Sequence, residues 1–157
     1  MRGLLERAIS LAAMAHTAQT DKGGEPYIFH PLRVMLSMDS EDERIVAVLH
    51  DIIEDTGGSL YGLAAIFPEP IITALDAISR RKREGYTAYI DRVAGNALAR
   101  AVKLADIEDN LAPGRIGNIP DSLVNRYLKA KAALLKASPS PSPVKDETAV
   151  STSITKE

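Results

Sequence analysis

The chain has 157 residues, of which 45% are hydrophobic and 25% charged, with a formal net charge of −2 and no cysteine. That length suits a single domain with its own core, and the near-neutral charge supplies no basic footprint for nucleic acid, so an anionic ligand must be met by a local cluster. The missing cysteine excludes disulfides, thiolate catalysis and Cys-ligated zinc, and no segment approaches the roughly 18 consecutive apolar residues of a membrane span, so a cytoplasmic protein with no membrane partner is expected.

Taken in chain order, Leu4, Ala8, Leu11, Ala12 and Ala15 recur at helical spacing and predict a core-facing helix over Leu4 to Ala15. It breaks at Asp21-Lys22-Gly23-Gly24-Glu25-Pro26, a turn-forming stretch. Pro31 follows His30 and suits a first helical turn, which puts His30 at a helix mouth. Glu43 to Glu54 is apolar nearly all round (Ile45, Val46, Ala47, Val48, Leu49, Ile52, Ile53) and reads as a buried central helix ended by Gly57-Gly58. Leu60 to Phe67 and Ile71 to Ile78 predict two short helices parted by Pro68 and Pro70, and Arg80 to Gly85 a basic connector. Helices follow at Tyr86 to Val93, at Ala97 to Leu111 before Pro113-Gly114, and from Leu123 to Lys136. No segment alternates convincingly with period two, so the fold class is all-α, a single-domain helical bundle over residues 1–137. Residues 138–157 open with Ser138-Pro139-Ser140-Pro141-Ser142-Pro143 and continue polar, which predicts a disordered Ser/Pro-rich tail.

Buried helices should not carry His30, His50-Asp51, Glu54-Asp55 and Asp106 without a reason, because unpaired buried charge is costly and a divalent cation compensates several carboxylates at once. On a continuous helix His50 and Glu54, and Asp51 and Asp55, would form two adjacent polar stripes, and Lys103, Asp106 and Asn110 another. Imidazole nitrogens with carboxylate oxygens suit Mn²⁺, Fe²⁺, Co²⁺ or Zn²⁺ better than Mg²⁺ or Ca²⁺, with manganese or iron favoured. His16, on the polar edge of the first helix, reads as a hydrogen-bonded structural residue. The run Arg80-Arg81-Lys82-Arg83 reads either as a solvated connector or as a lip that catches phosphate.

The residues Ala15-His16, Gln19, Gly24-Glu25-Pro26-Tyr27-Ile28, His30-Pro31, Leu49-His50-Asp51, Glu54-Asp55-Thr56, Lys103-Leu104-Ala105-Asp106 and Asn110-Leu111 stand in the order of a known pattern. Together they resemble the hydrolase domain of the bacterial Rel/Spo alarmone enzymes and their stand-alone small alarmone hydrolases. The resemblance implies a helical HD fold that binds one Mn²⁺ and removes the 3′-pyrophosphate of guanosine tetra- or pentaphosphate. Carried over, the metal ligands are His30, His50, Asp51 and Asp106, with Glu54 and Asp55 as the acidic pair acting on the attacking water and Asn110 holding the nucleotide. Lys22, Lys103 and the Arg80 to Arg83 run are the candidate cations for the substrate's phosphates. The partner implied is a phosphorylated purine nucleotide, and the length leaves no room for alarmone synthesis.

Two departures bear on base selectivity. Where the family has an Arg followed by Lys in the first loop, the Arg expected to stack on guanine, this chain has Asp21-Lys22. The helix of Asp106 continues Ile107-Glu108-Asp109, which predicts a more acidic pocket. The alternatives are a phosphatase acting on another nucleotide, such as the 2′-phosphate of NADPH, a non-catalytic nucleotide sensor, and a purely structural metal.

Overall fold

The computed structural model describes residues 3–137. The expected tail, 138–157, lies outside the described residues. The helices are α1 (Leu4–Ala15), α2 (Phe29–Leu36), α3 (Glu41–Leu49), α4 (Ile52–Asp55), α5 (Leu60–Ala64), α6 (Glu69–Ile78), α7 (Tyr86–Ala94), α8 (Ala97–Asn110), α9 (Pro113–Ile116) and α10 (Asp121–Lys136). Among the described residues no strand forms, only an isolated bridge between Thr20 and Pro26. No described helix is long and apolar enough to cross a membrane.

Helix α3 is the axis of the bundle. Ser40 caps it: its Oγ accepts from Glu43 N–H at 3.2 Å while Glu43 Oε2 accepts from Ser40 N–H at 2.9 Å, and Glu41, Asp42 and Glu43 complement the positive end of the helix dipole. Ile45, Val46, Ala47, Val48 and Leu49 are all buried, because α1, α2, α6 and α8 pack around α3 on every side. The all-round apolar pattern thus has its expected consequence.

The single helix expected over Glu43 to Glu54 is, in contrast, two. It stops at Leu49 and resumes as the one-turn α4, with Asp51 between them at φ −96°, ψ −5°. Adjacent residues on an unbroken helix project about 100° apart. The turn at His50-Asp51 relaxes that separation and lets both side chains aim at one point. Gly57, at φ 76°, closes α4, where Ile52 O accepts from Gly58 N–H at 3.2 Å.

Elsewhere the differences are at ends. Helix α5 stops at Ala64, short of Phe67, and α6 begins at Glu69 because Pro70 is tolerated in a first turn. Pro113, expected only to end α8, also opens the short α9. The connector between α6 and α7 is tied down by Arg92. Its guanidinium donates to the carbonyls of Asp76 (2.5 Å), Ala77 (3.0 Å) and Ser79 (3.0 Å) at the end of α6, and to Glu84 Oε2 at 2.6 Å. This fork satisfies carbonyls that a helix end leaves open, a task lysine geometry does not match.

Replacing Arg92 by Met should therefore lower unfolding stability by about 2 kcal/mol in denaturant titrations, and Arg92→Lys should recover little of it. Arg92 also holds the Glu84 carboxyl down, from 4.5 to about 2. Because the folded value is depressed, this contribution is present above about pH 4.5 and fades as pH falls towards 2. The cost of Arg92→Met should shrink over that window.

Candidate metal centre and its pocket

Each polar side chain of the centre is set by a different element. His30 stands in the first turn of α2, His50 and Asp51 at the break between α3 and α4, and Asp106 in the middle of α8. His30, His50 and Asp106 are 2%, 2% and 4% exposed, too buried to be left without charge compensation. Their ligand atoms lie within 4.8 Å of one another. Asp51 joins them, with Oδ2 3.0 Å from His50 Nε2 and 3.6 Å from His30 Nε2, while Asp106 Oδ1 is 3.1 Å and 3.7 Å from the Nε2 atoms of His30 and His50. Three of the four residues expected as ligands, His30, His50 and Asp106, thus form one group, and Asp51 lies beside both imidazoles.

The orientation of the imidazoles is fixed from behind. His50 Nδ1 faces the Ala47 carbonyl at 2.7 Å, an acceptor only, so Nδ1 carries the proton and Nε2 presents its lone pair inward. His30 Nδ1 faces Asp109 Oδ2 at 2.7 Å with the same result. Two nitrogen lone pairs and two carboxylates therefore point at each other, and His50 Nε2 is buried with no hydrogen-bond partner. A cation placed there would compensate both carboxylates and both nitrogens, and two imidazoles with carboxylate oxygens are a donor set for a first-row divalent metal. The residues fit a metal ion.

Charge in the centre is strongly coupled. Burial works against the ionised form of Asp106, but Lys103, His30 and His50 outweigh it and hold the carboxyl well below its ordinary range. Burial likewise opposes a charged His50, and Asp51 and Asp106 outweigh it to push the imidazole up. Lys103 Nζ sits 2.7 Å from Asp106 Oδ2, and Asn110 Nδ2 donates to Asp106 Oδ1 at 2.7 Å. Both residues, expected to meet substrate, line the pocket with their polar ends on Asp106. Tyr27 OH donates to Asp51 Oδ2 at 2.5 Å, its ring tilted against His16 and edge-on to His30 at centroid distances of 4.9 and 5.8 Å. His16 itself is bonded to Gln19 Oε1 at 2.8 Å and packs behind the centre.

Above the centre opens a cavity of about 350 Å³, lined on one side by Lys22, Gly23, Arg115 and Asn118 and on the other by Arg80, Tyr86 and Arg126. Glu54 lines it too; Asp55 does not. Both residues are exposed on the one-turn α4, although Asp55 N–H still donates to the Asp51 carbonyl at 2.9 Å across the break. Glu54 Oε1 accepts from Arg80 N–H at 2.7 Å, and partial burial beside Asp51 and Asp55 pushes its carboxyl up. Burial and Asp51 raise Asp55 as well. Of the basic run only Arg80 lines the cavity; Arg81 pairs with Asp76 at 3.1 Å on the exposed surface.

Asp109 was not among the sequence candidates, although it stands three residues after Asp106 on the same face of α8. It accepts from His30 Nδ1 and from Arg33 Nε, each at 2.7 Å. The pairs His30/Arg33 on α2 and Asp106/Asp109 on α8, both at i,i+3 spacing, meet each other. The acidic character expected of Glu108 and Asp109 does not reach the pocket: Asp109 is spent on His30 and Arg33, and Glu108 pairs with Lys131 at 3.1 Å on the surface.

No family model matches the chain. It is 32% identical over 123 residues to a probable guanosine-3′,5′-bis(diphosphate) 3′-pyrophosphohydrolase of Synechocystis sp., a match that covers 69% of this chain and 16% of that protein. It is 31% identical over 122 residues to a probable GTP pyrophosphokinase of Mycobacterium leprae, covering 69% of this chain and 15% of that one. A solved structure described as a metazoan ortholog of SpoT that hydrolyzes ppGpp superposes with a TM-score of 0.72 at 22% identity, covering 87% of this chain and 88% of the other. Fold and centre define an all-helical HD-type protein with a His/Asp group that could hold a metal ion. Within that class the chain is a relative of the Rel/Spo alarmone enzymes, corresponding to about a sixth of the length of the curated relatives it matches.

Asp109→Ala should weaken binding of Mn²⁺ by 10- to 100-fold in calorimetric titration, since it frees the His30 ring from the group that sets its tautomer. Unchanged affinity would mean that packing alone orients His30.

Proposed function

We propose that this protein removes the 3′-pyrophosphate of guanosine tetra- or pentaphosphate, or of a closely related purine nucleotide, with one divalent metal, Mn²⁺ first, held by His30, His50, Asp51 and Asp106. The observation that carries the reading is the convergence of two imidazole lone pairs and two carboxylates on the floor of a nucleotide-sized cavity walled by cations. The relatives named for this reaction support the choice of substrate.

A bound divalent ion supplies an acidified water and screening of the phosphoryl oxygens. The chain's own residues do the rest. Water attacks the phosphorus attached to O3′, the P–O3′ bond breaks, the water oxygen leaves with pyrophosphate, and O3′ takes up a proton. Glu54 faces the cavity with its carboxyl raised towards the working range, and it takes the proton of the attacking water. Asp55, outside the cavity wall, acts on the electrostatics of Tyr27 and Asp51 rather than on the water. Lys103 and Asn110 hold Asp106 in position; Lys22, Arg80 and Arg126 are the cations placed to meet phosphates.

With Mn²⁺, the protein should release pyrophosphate from guanosine tetraphosphate, measured beside its adenosine counterpart and NADPH. Turnover of NADPH alone would move the substrate to another nucleotide, and no turnover of any of them would reject the enzyme reading. Glu54→Gln should keep Mn²⁺ affinity within about twofold and lose about 10²- to 10⁴-fold in kcat. A wild-type rate in that variant would remove Glu54 from the proton transfer.

A further inference from the structure

The first loop and the segment after α8 meet across the mouth of the cavity through one ion pair. Asp21 Oδ1 accepts from Gly23 N–H at 2.8 Å and Glu25 N–H at 3.0 Å, which folds the loop back on itself and leaves Oδ2 facing out. That oxygen takes Arg115 Nη1 at 3.0 Å. The other terminal nitrogen, Arg115 Nη2, donates to Asn110 Oδ1 at 3.2 Å, and Nε lies 3.4 Å from Asp109 Oδ2. The Arg115 and Asp21 side chains are 20% and 16% exposed, and both residues line the cavity.

A guanidinium carries its hydrogens in its own plane; here Nη1 and Nη2 each donate one hydrogen bond, and Nε, which has no hydrogen-bond partner, is buried 3.4 Å from Asp109 Oδ2, so that edge is closed to a ligand. A phosphate binds an arginine through those edges, in the same plane. Arg115 is therefore poorly disposed to take phosphate. What a ligand in the cavity can still meet is a flat, rigidly held, cationic face, which attracts the face of an aromatic ring. On the opposite wall Arg126 contrasts with it, its guanidinium lying over the Tyr86 ring at 4.7 Å; Arg80, over the same ring at 5.7 Å, gives Nε and Nη2 to the Glu84 carbonyl.

Resting on the nucleotide reading of the site, we propose that Arg115 is the base-recognition residue of this protein, stacking its guanidinium face on a planar purine, and that Asp21 is the residue that holds it flat. The acidic residue in the first loop then acts as the anchor of a cation supplied from α9. Its carboxylate does not repel the ligand, because Arg115 neutralises it. The relay Asp21–Arg115–Asn110–Asp106 also fixes the base end of the cavity relative to a metal-binding side chain.

The test compares two probes by calorimetry on Mn²⁺-loaded full-length protein: guanosine 3′,5′-bisphosphate and the same ribose bisphosphate lacking the base. Wild type should prefer the nucleotide by about tenfold. Arg115→Lys, which keeps the charge and loses the plane, should cut that preference to within about twofold and leave affinity for the base-free probe unchanged. Asp21→Asn, which keeps the loop's acceptor oxygen and loses the charge, should fall between. Equal weakening for both probes would show that Arg115 meets phosphate, and an intact base preference in Arg115→Lys would show that it does not touch the base; either overturns the inference. Circular dichroism and Mn²⁺ affinity like wild type establish that the variants are folded. If wild type hydrolyses guanosine tetraphosphate while Arg115→Lys retains the base preference, the inference alone falls. If wild type neither binds the bisphosphate nor hydrolyses, the nucleotide reading falls and takes this one with it.

Discussion

The structure depends on one electrostatic constraint: two imidazole lone pairs and two carboxylates are made to converge inside a core that would expel them if they were not compensated. Every helix that touches the centre bears its share. Helix α3 supplies rigidity, being buried on all sides, and ends where its last turn must release His50 and Asp51 towards one point. Helix α8 supplies Asp106 with its own neutralising lysine and amide, and Asp109 to set the His30 tautomer. A fold without a cation to receive these donors would gain stability by replacing them with apolar residues, which is the general fate of uncompensated buried charge.

Around that centre the cavity divides by chemistry. The floor is formed by His30, Asp51 and Asp106, with Glu54 at its edge and His50 beneath. One wall carries Arg80, Tyr86 and Arg126; the other is the first loop stitched to α9 by Asp21 and Arg115. Such a division suits a ligand with phosphates at more than one position and a flat ring between protein faces, which is the shape of the substrates named for the related alarmone enzymes. Stability and function meet at Arg92, whose hold on the end of α6 fixes where Arg80 presents its backbone N–H to Glu54.

Much of this was legible in the sequence, and the parts that were not share a cause. The apolar stretch Ile45 to Leu49 announced a central helix, Pro31 placed His30 at a helix start, and the ordered motifs picked out His30, His50, Asp51 and Asp106, which the fold brings together. The break at His50-Asp51 was hidden because helical periodicity continues through it; the chain yields there to a tertiary demand for convergence, which no local propensity records. Asp109 was read as surplus acidity because its partner, Arg33, lies far away in sequence. The same holds for Asp21, whose meaning depends on Arg115, a residue on the other side of the cavity mouth.

The most direct test of the central claim is a calorimetric titration of metal-stripped protein with Mn²⁺, run in parallel on His50→Ala. One ion per chain bound by the wild type, with that binding lost in the variant while the helical circular dichroism persists, is the result expected of a centre built to receive a cation. Failure of the wild type to bind Mn²⁺ or any of Fe²⁺, Co²⁺ and Zn²⁺, or binding that survives the loss of His50, would contradict it.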